Sequence, residues 1–447
     1  MSVADCREST AGSEQRPTRV RNLVVLFLAF AAISAYLTRH GLAVANTTIQ
    51  EELGFNNEQF GYLYSAFSLG YLLGQVPAGW LGQRFGTRGI MALLSVAWSA
   101  CTIVTASVSS LGGMVSSRLG FGLSQAGLIP NQAKVVGDWF PLHARGRVSS
   151  IIGMSMSIGS ALTMSLTAWL IARFDWRDVF RGYSLVGVAW SVAFYAFFRT
   201  RPAEHPWVNR REQQQIEGSP APPQRIDAAS SSWAVTIRRP SMWALSGQMV
   251  FRAAGYNLFV TFFPAFLEFA YGVKKSEAGM LTAWPLLAIV AGSLCGGVMI
   301  DWLLRRTGSR FASRCGVAMV TLVLTAALTA GSAWTDSARQ LSAVIAVGAF
   351  FSGMSMACPW AAVIDIGGRN AAVAMGIINS AGCLSGIIVS PLVGRLVDHI
   401  RATNGNWNSV IHVHAVFYLI AAACWSFVRL DPQPGKLDAP NTQHPDR

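Results

Sequence analysis

RNLVVLFLAFAAISAYLTRHGLAVAN, residues 21–46, is one long apolar run broken only toward its far end by Arg39 and His40. A helix of about 20 mostly apolar residues spans the hydrocarbon core of a bilayer, and this run is long enough. Outward from it, runs of the same kind fall near 59–82, 88–109, 111–135, 147–172 and 178–198. A polar break rich in Arg, Gln, Pro and Ser follows, and six more runs lie near 241–271, 277–304, 312–333, 339–363, 370–397 and 409–430. Many of them contain Gly and Ser, which let helices approach closely in lipid. Two sets of six separated by one polar linker fit a parallel repeat, with the substrate path between the halves. The expectation is an all-α membrane protein of twelve transmembrane helices in two pseudo-symmetric six-helix bundles. Its parts are a tail (1–20), a first bundle (21–198), a linker (199–240), a second bundle (241–430) and a second tail (431–447).

Composition agrees. Of 447 residues, 52% are hydrophobic and 13% charged, against roughly a quarter charged in soluble proteins. The net charge of +13 would suggest nucleic acid in a soluble protein, but its placement argues otherwise. With both termini inside, the inside segments hold 23 Lys and Arg and the outside loops seven. Positive charge favours the cytoplasmic side, so the basicity reads as topology, and no nucleic-acid partner is expected. The first run follows a polar segment and reads as a spanning helix, not a cleavable signal. The outer loops are expected to be very short, which fits a bacterial inner membrane better than a glycosylated surface despite the Asn46-Thr47-Thr48 sequon. The cysteines form no CxxC pair and read as small apolar residues; neither a metal site nor a cofactor is expected.

Several segments carry a family resemblance. The first helix reads Tyr36-Leu37-Thr38-Arg39, and the second carries Tyr71, Gln75, Pro77 and Gly79. The fourth reads Arg118-x3-Gly122-x2-Gln125-Ala126-x3-Pro130, followed by Trp139-Phe140-Pro141 and Arg145-Gly146. His205-Pro206-x-Val208-Asn209 follows helix six, and helix eleven offers Gly376, Asn379, Gly382 and Pro391. In order and spacing these resemble the anion:cation symporter family of the major facilitator superfamily, which includes bacterial sugar-acid carriers and vesicular glutamate transporters. The resemblance implies the major facilitator fold, and with no Ser-His-Asp spacing, P-loop, metal cluster or heme motif in the sequence, no enzymatic activity is expected. The superfamily signature between helices two and three, G-x3-D-R-x-G-x-R, is similar to Gly79-x3-Gln83-Arg84-x-Gly86-x-Arg88. Gln83 stands where that signature has Asp, so one charge clasp is altered. The second half keeps Gly297-x3-Asp301 with Arg305 and Arg306. The resemblance implies gating roles for Gly79, Arg84, Gly86, Arg88, Asp301 and Arg305.

Arg39, Arg118 and Arg252 lie well inside expected helices. An arginine at mid-bilayer costs about 2.5–3.5 kcal/mol on insertion scales, so it snorkels, binds backbone, or faces a polar cavity. The resemblance implies the last, because related carriers meet substrate carboxylates with such arginines. A guanidinium stays charged and meets a carboxylate or phosphate with two parallel hydrogen bonds. Arg118, Gly122 and Gln125 recur at helical spacing on one stripe, as do Tyr36 with Arg39, Tyr71 with Gln75, and Arg252 with Tyr256. The expected substrate site is therefore Arg39, Arg118, Arg252, Tyr36, Tyr71, Gln125, Tyr256 and Asn379. None of the 22 acidic residues falls at an expected midplane. Sugar-acid carriers of the resembled family carry acids where Thr38 and Gln125 stand here, and neither side chain titrates. A coupling proton or a counter-anion both remain open. Organophosphate:phosphate exchangers of the same superfamily are a second reading, since they need no carboxylate relay, and a transporter-like sensor is a third. His40 reads either as a proton carrier or as a polar residue near the outer mouth, and Lys134 with Asp138 as a helical ion pair. The expected partners are a small organic anion and the lipid bilayer, with the chain a monomer.

Overall fold

The computed structural model describes residues 16–55, 57–217, 237–257, 263–403 and 405–430. The expectations for 1–15, 218–236 and 431–447 lie outside them. Among the described residues, helices form twelve spans. In the first half they are Val20–Val44, Asn57–Phe85, Thr87–Ser107, Leu111–Gln125 with Leu128–Trp139, Arg145–Ile171 and Trp176–Phe197. In the second they are Pro240–Asn257 with Phe263–Tyr271, Lys275–Thr307, Ala312–Gly316 with Val317–Gly331, Ala338–Met354 with Ala357–Gly367, Ala371–Thr403 and Asn408–Trp425. Seven helical segments are, by their own length and hydropathy, able to cross a membrane; spans such as the second and fourth carry more polar side chains and sit among the others.

The packing repeats between halves. Spans one and five, two and four, and three and six pair in the first half; seven and eleven, eight and ten, and nine and twelve pair in the second. The halves meet where span two packs on eleven and five on eight. Glycines make the two–four and eight–ten pairs possible. A Cβ added at Gly122 would run into the Phe67 carbonyl, and one at Gly292 into the Phe350 carbonyl. The obstacle is backbone, which cannot rotate away. Overpacking typically costs about 1–3 kcal/mol, so Gly292→Val is expected to lower the melting temperature of the purified protein by several degrees or prevent recovery of folded material. Gly331→Ala, where the added carbon meets nothing within 4 Å, is expected to leave the scan unchanged.

Two expectations need correction. Spans four and ten, expected as unbroken runs over 111–135 and 339–363, are each interrupted, at Ala126-Gly127 and Ser355-Met356. Pro130 and Pro359 lack the amide that would bond the carbonyls of Ala126 and Ser355, four residues earlier, although Pro77 and Pro285 lie inside helices that continue through them. The expectation of very short outer loops also fails at the first. It folds into a helix, Asn46–Leu53, stopped by Gly54 at φ 68. Glu52 ties that helix down by accepting from Trp176 Nε1 at 2.5 Å and pairing with Arg177. The Trp176 hydrogen bond, with Arg177 adding to it, holds the Glu52 carboxyl below its ordinary range.

Candidate functional site

Arg39 lies in the first span, partly buried, and points at the second and fourth. Its Nε donates to Gln125 Oε1 at 2.7 Å, and Gln125 Nε2 donates to the Ala35 carbonyl at 2.9 Å. The guanidinium lies over three rings, Tyr36 at 4.9 Å, Phe67 at 5.0 Å and Tyr71 at 4.5 Å. Such faces attract a cation and hold the fork in place. The group continues across the interface between halves. Asn379 of span eleven donates to Gln75 Oε1 at 2.5 Å and to the Tyr71 hydroxyl at 3.4 Å, and Gln75 Nε2 reaches Cys383 Sγ at 3.6 Å. The structure thus brings together Tyr36, Arg39, Tyr71, Gln125 and Asn379. Gln75, wholly buried, and Phe67 belong to the same group and were absent from the expected site. Gln75 could have been found, since it shares a helix face with Tyr71; Phe67 gave no signal beyond its apolarity. His40 lies beside the group, its Nδ1 2.9 Å from the Ser160 hydroxyl.

The other two arginines lie apart. Arg118 is 2% exposed, over Phe121 at 5.2 Å and Phe180 at 5.8 Å, and its Nε and Nη2 have no hydrogen-bond partner. Phe121 packs on Phe67, so this ring pair stands between Arg118 and Arg39. The stripe Arg118, Gly122, Gln125 is consequently packed at Gly122 rather than an open wall. Arg252 Nη2 contacts Met249 Sδ at 3.4 Å while its Nε has no partner. Tyr256 on the same face is 39% exposed and lies within electrostatic reach of both Arg252 and Tyr36. Among the described residues no carboxylate pairs with Arg39, Arg118 or Arg252. No group of three His, Cys, Asp or Glu side chains that could hold a metal occurs among them either.

A second polar assembly closes the face that carries the linker. Asp301, at the end of span eight, accepts from the amides of Gly146 at 3.0 Å and Arg147 at 2.7 Å. These are first-turn donors of span five, so a carboxylate of one half caps a helix of the other. Asp365 takes Arg145 at 3.2 Å and Arg314 at 3.3 Å, and Arg314 lies 3.9 Å from Asp301. Gly79 lets span two approach the Ala372 carbonyl, and Gly86 turns the chain at φ 90. Arg88 donates to the Tyr195 carbonyl at 2.8 Å, within its own bundle. Arg84 is exposed beside Trp80, and Gln83 Nε2 is buried without a partner. The charge clasp is therefore one-sided, built by Asp301 and not at position 83. Lys134 and Asp138 form the expected helical pair.

The sequence profile of the Major Facilitator Superfamily matches residues 28–390 and again 253–445. The chain belongs to the Major Facilitator Superfamily. This superfamily transporter is 27% identical over 382 residues to a probable sulfoacetate transporter, SauU, of Cupriavidus necator, covering 85% of this chain and 88% of that protein. It is 31% identical over 309 residues to a probable L-galactonate transporter of Escherichia coli, covering 68% and 67%, and 27% identical over 398 residues to an Escherichia coli D-galactonate transporter, covering 86% and 90%. Among solved structures the transporter shares the fold of a double-tryptophan XylE variant, with a TM-score of 0.70 at 14% identity over 92% of this chain and 96% of that one. It also shares the fold of FucP in its outward conformation, with a TM-score of 0.65 at 14% identity over 91% and 99%.

Proposed function

We propose that this transporter carries a small organic anion, such as a sugar acid or another carboxylate, by alternating access, with Arg39 as its principal anion ligand. One observation carries the reading: Arg39, Arg118 and Arg252 sit well inside the spans and no described carboxylate neutralises them. Charge in a membrane interior is costly unless paired, and an incoming carboxylate would supply the pair. Relatives named for sulfoacetate and galactonate support the class. Arg39 borders the interface between halves, where Asn379 reaches across, as a site exposed alternately to each side requires. The described hydrogen bonds between bundles run from Tyr71 and Leu72, which meet Asn379 and Ser380, through Gln75 to the linker-bearing face, so the structure fits a state closed on that side. The excess of Lys and Arg there supports reading it as the cytoplasmic side, with both termini inside, and a bacterial inner membrane is the location we propose. The test is uptake of labelled sugar acids by proteoliposomes: saturable anion flux is expected, and its absence across a broad panel with folded protein would remove the proposal.

The neutral Thr38 and Gln125 beside Arg39 favour a second reading, exchange of a phosphorylated metabolite for phosphate, because exchange needs no titrating carboxylate. Uptake that depends on phosphate inside the vesicles is its signature. The same neutrality gives a pH prediction. Wild-type binding should be insensitive to pH through position 125. Gln125→Glu places a carboxylate against the Arg39 guanidinium, competing with substrate and weakening binding about tenfold at pH 7. Protonating the new carboxyl removes the competing charge, so affinity should rise as the pH is lowered from 8 toward 4. Binding titrations from pH 4 to 8 check both.

A further inference from the structure

A cavity of about 480 Å³ opens on the linker-bearing face, distinct from the Arg39 group. Span one lines it with Arg19, Arg21 and Val25, the loop and start of span five with His143, Arg147 and Ile151, and span eight with Val298, Asp301 and Arg305. Four arginines and a histidine thus face one carboxylate. That carboxylate is already engaged by the Gly146 and Arg147 amides. Arg21 is held by Gln215 at 2.8 Å and lies 3.9 Å from Glu212. The side chains of Arg19, Arg147 and Arg305 are exposed and pair with no carboxylate among the described residues. Arg19 also starts its helix at φ 60, the one non-glycine residue at positive φ among those described, a conformation that persists only where surroundings impose it.

The order along each helix is informative. Span one runs Arg19, Arg21, Val25 inward from the face; span five runs Arg147, Val148, Ile151; span eight, arriving from the other direction, runs Arg305, Asp301, Val298. All three place cations at the rim and aliphatic side chains deeper. A rim of guanidinium forks suits a group with several anionic oxygens, and an aliphatic floor at bilayer depth suits hydrocarbon attached to it.

We propose that this cavity binds a phosphate group, supplied by the headgroup of an acidic phospholipid or by free phosphate, and that the bound group bridges the two bundles. Arg19 and Arg147 belong to one half and Arg305 to the other, so the site is complete only while this face is closed. Occupancy therefore stabilises the closed face whatever the transported substrate is.

The experiment uses the full chain purified in detergent. Bound lipid is counted by native mass spectrometry with phosphatidylglycerol or phosphatidylcholine added, and melting is followed with inorganic phosphate against chloride at equal ionic strength. Retention of phosphatidylglycerol over phosphatidylcholine assigns the group to lipid, and stabilisation by phosphate that survives Arg39→Ala but is lost in R19Q/R147Q assigns it to solution; either supports the site. Each arginine near an anionic surface contributes about fivefold in affinity, so R19Q/R147Q is expected to weaken binding about 25-fold, and R19K/R147K, which keeps the charge but loses the forks, by clearly less than that. Should the double glutamine variant fail to fold, Arg305→Gln, a single exposed change, should still weaken binding about fivefold. Equal retention of both lipids with no phosphate effect, or wild-type affinity in the glutamine variants, overturns the proposal.

Discussion

Arg39→Ala is expected to reduce substrate affinity and uptake by about 100-fold or more, the largest effect of any change in the Tyr36, Arg39, Tyr71, Gln125, Asn379 group. Truncating one partner of a desolvated charge pair costs about 2–5 kcal/mol, and each 1.4 kcal/mol is tenfold. Arg39 adds orientation to charge, because Gln125 fixes one nitrogen and three aromatic faces sandwich the plane. Arg39→Lys keeps the charge but loses the fork and the stacking, so it should recover only a minor part of the loss. Arg118→Ala separates the two arginines. Its guanidinium is sealed behind the Phe67–Phe121 pair and two of its nitrogens have no partner. If it meets substrate only in another state, uptake will fall while affinity for the present state holds. Binding by calorimetry and proteoliposome uptake, measured on variants with unchanged melting profiles, read both quantities.

Asp365→Ala is expected to open the linker-bearing face. Asp365 is the shared acceptor of Arg145 from one half and Arg314 from the other. Removing it leaves the buried Arg314 and the half-buried Arg145 without that carboxylate, with Asp301 3.9 Å from Arg314. Breaking a buried pair by removing one partner costs about 3–5 kcal/mol. Here the part of the cost borne by Arg145 falls on the closed face, because the Arg145–Asp365 pair joins one half to the other. A shift of that size moves a two-state population more than 100-fold. Spin labels at Phe85 and Phe311, both exposed near this face, should report longer distances in the variant than in the wild type. Asp365→Glu should stay near wild type. An unchanged distance distribution in Asp365→Ala would show that the network does not hold the face shut.

Much of the fold was legible because a bilayer imposes a simple rule. A helix must bury about 20 apolar residues, so length and composition located the spans, and one polar stretch divided them. The breaks in spans four and ten were not legible: each precedes a proline, Pro130 or Pro359, but Pro77 and Pro285 sit in spans that run on unbroken. The site was legible in part. Tyr36, Arg39 and Gln125 converge as helical spacing suggests, but spacing fixes a face and not its neighbour. The face of Arg118 turned out to be occupied by Phe67 and Phe121, and the face of Gly122 by the span-two backbone. The link from Asn379 to Gln75 depends on how two helices from different halves cross, and no local pattern encodes that crossing. Asp301 was recognisable by position, yet its use as a cap for the amides of span five emerges only when the halves are brought together.

The central claim is that a fixed guanidinium in this membrane interior selects cargo by negative charge. Binding of a sugar acid and of its uncharged amide, matched in size and hydroxyl pattern, tests it most directly. The account predicts that the wild-type protein binds the acid at least about 30-fold more tightly than the amide, and that Arg39→Ala erases the difference. Equal affinity of the wild-type protein for the acid and the amide would contradict it.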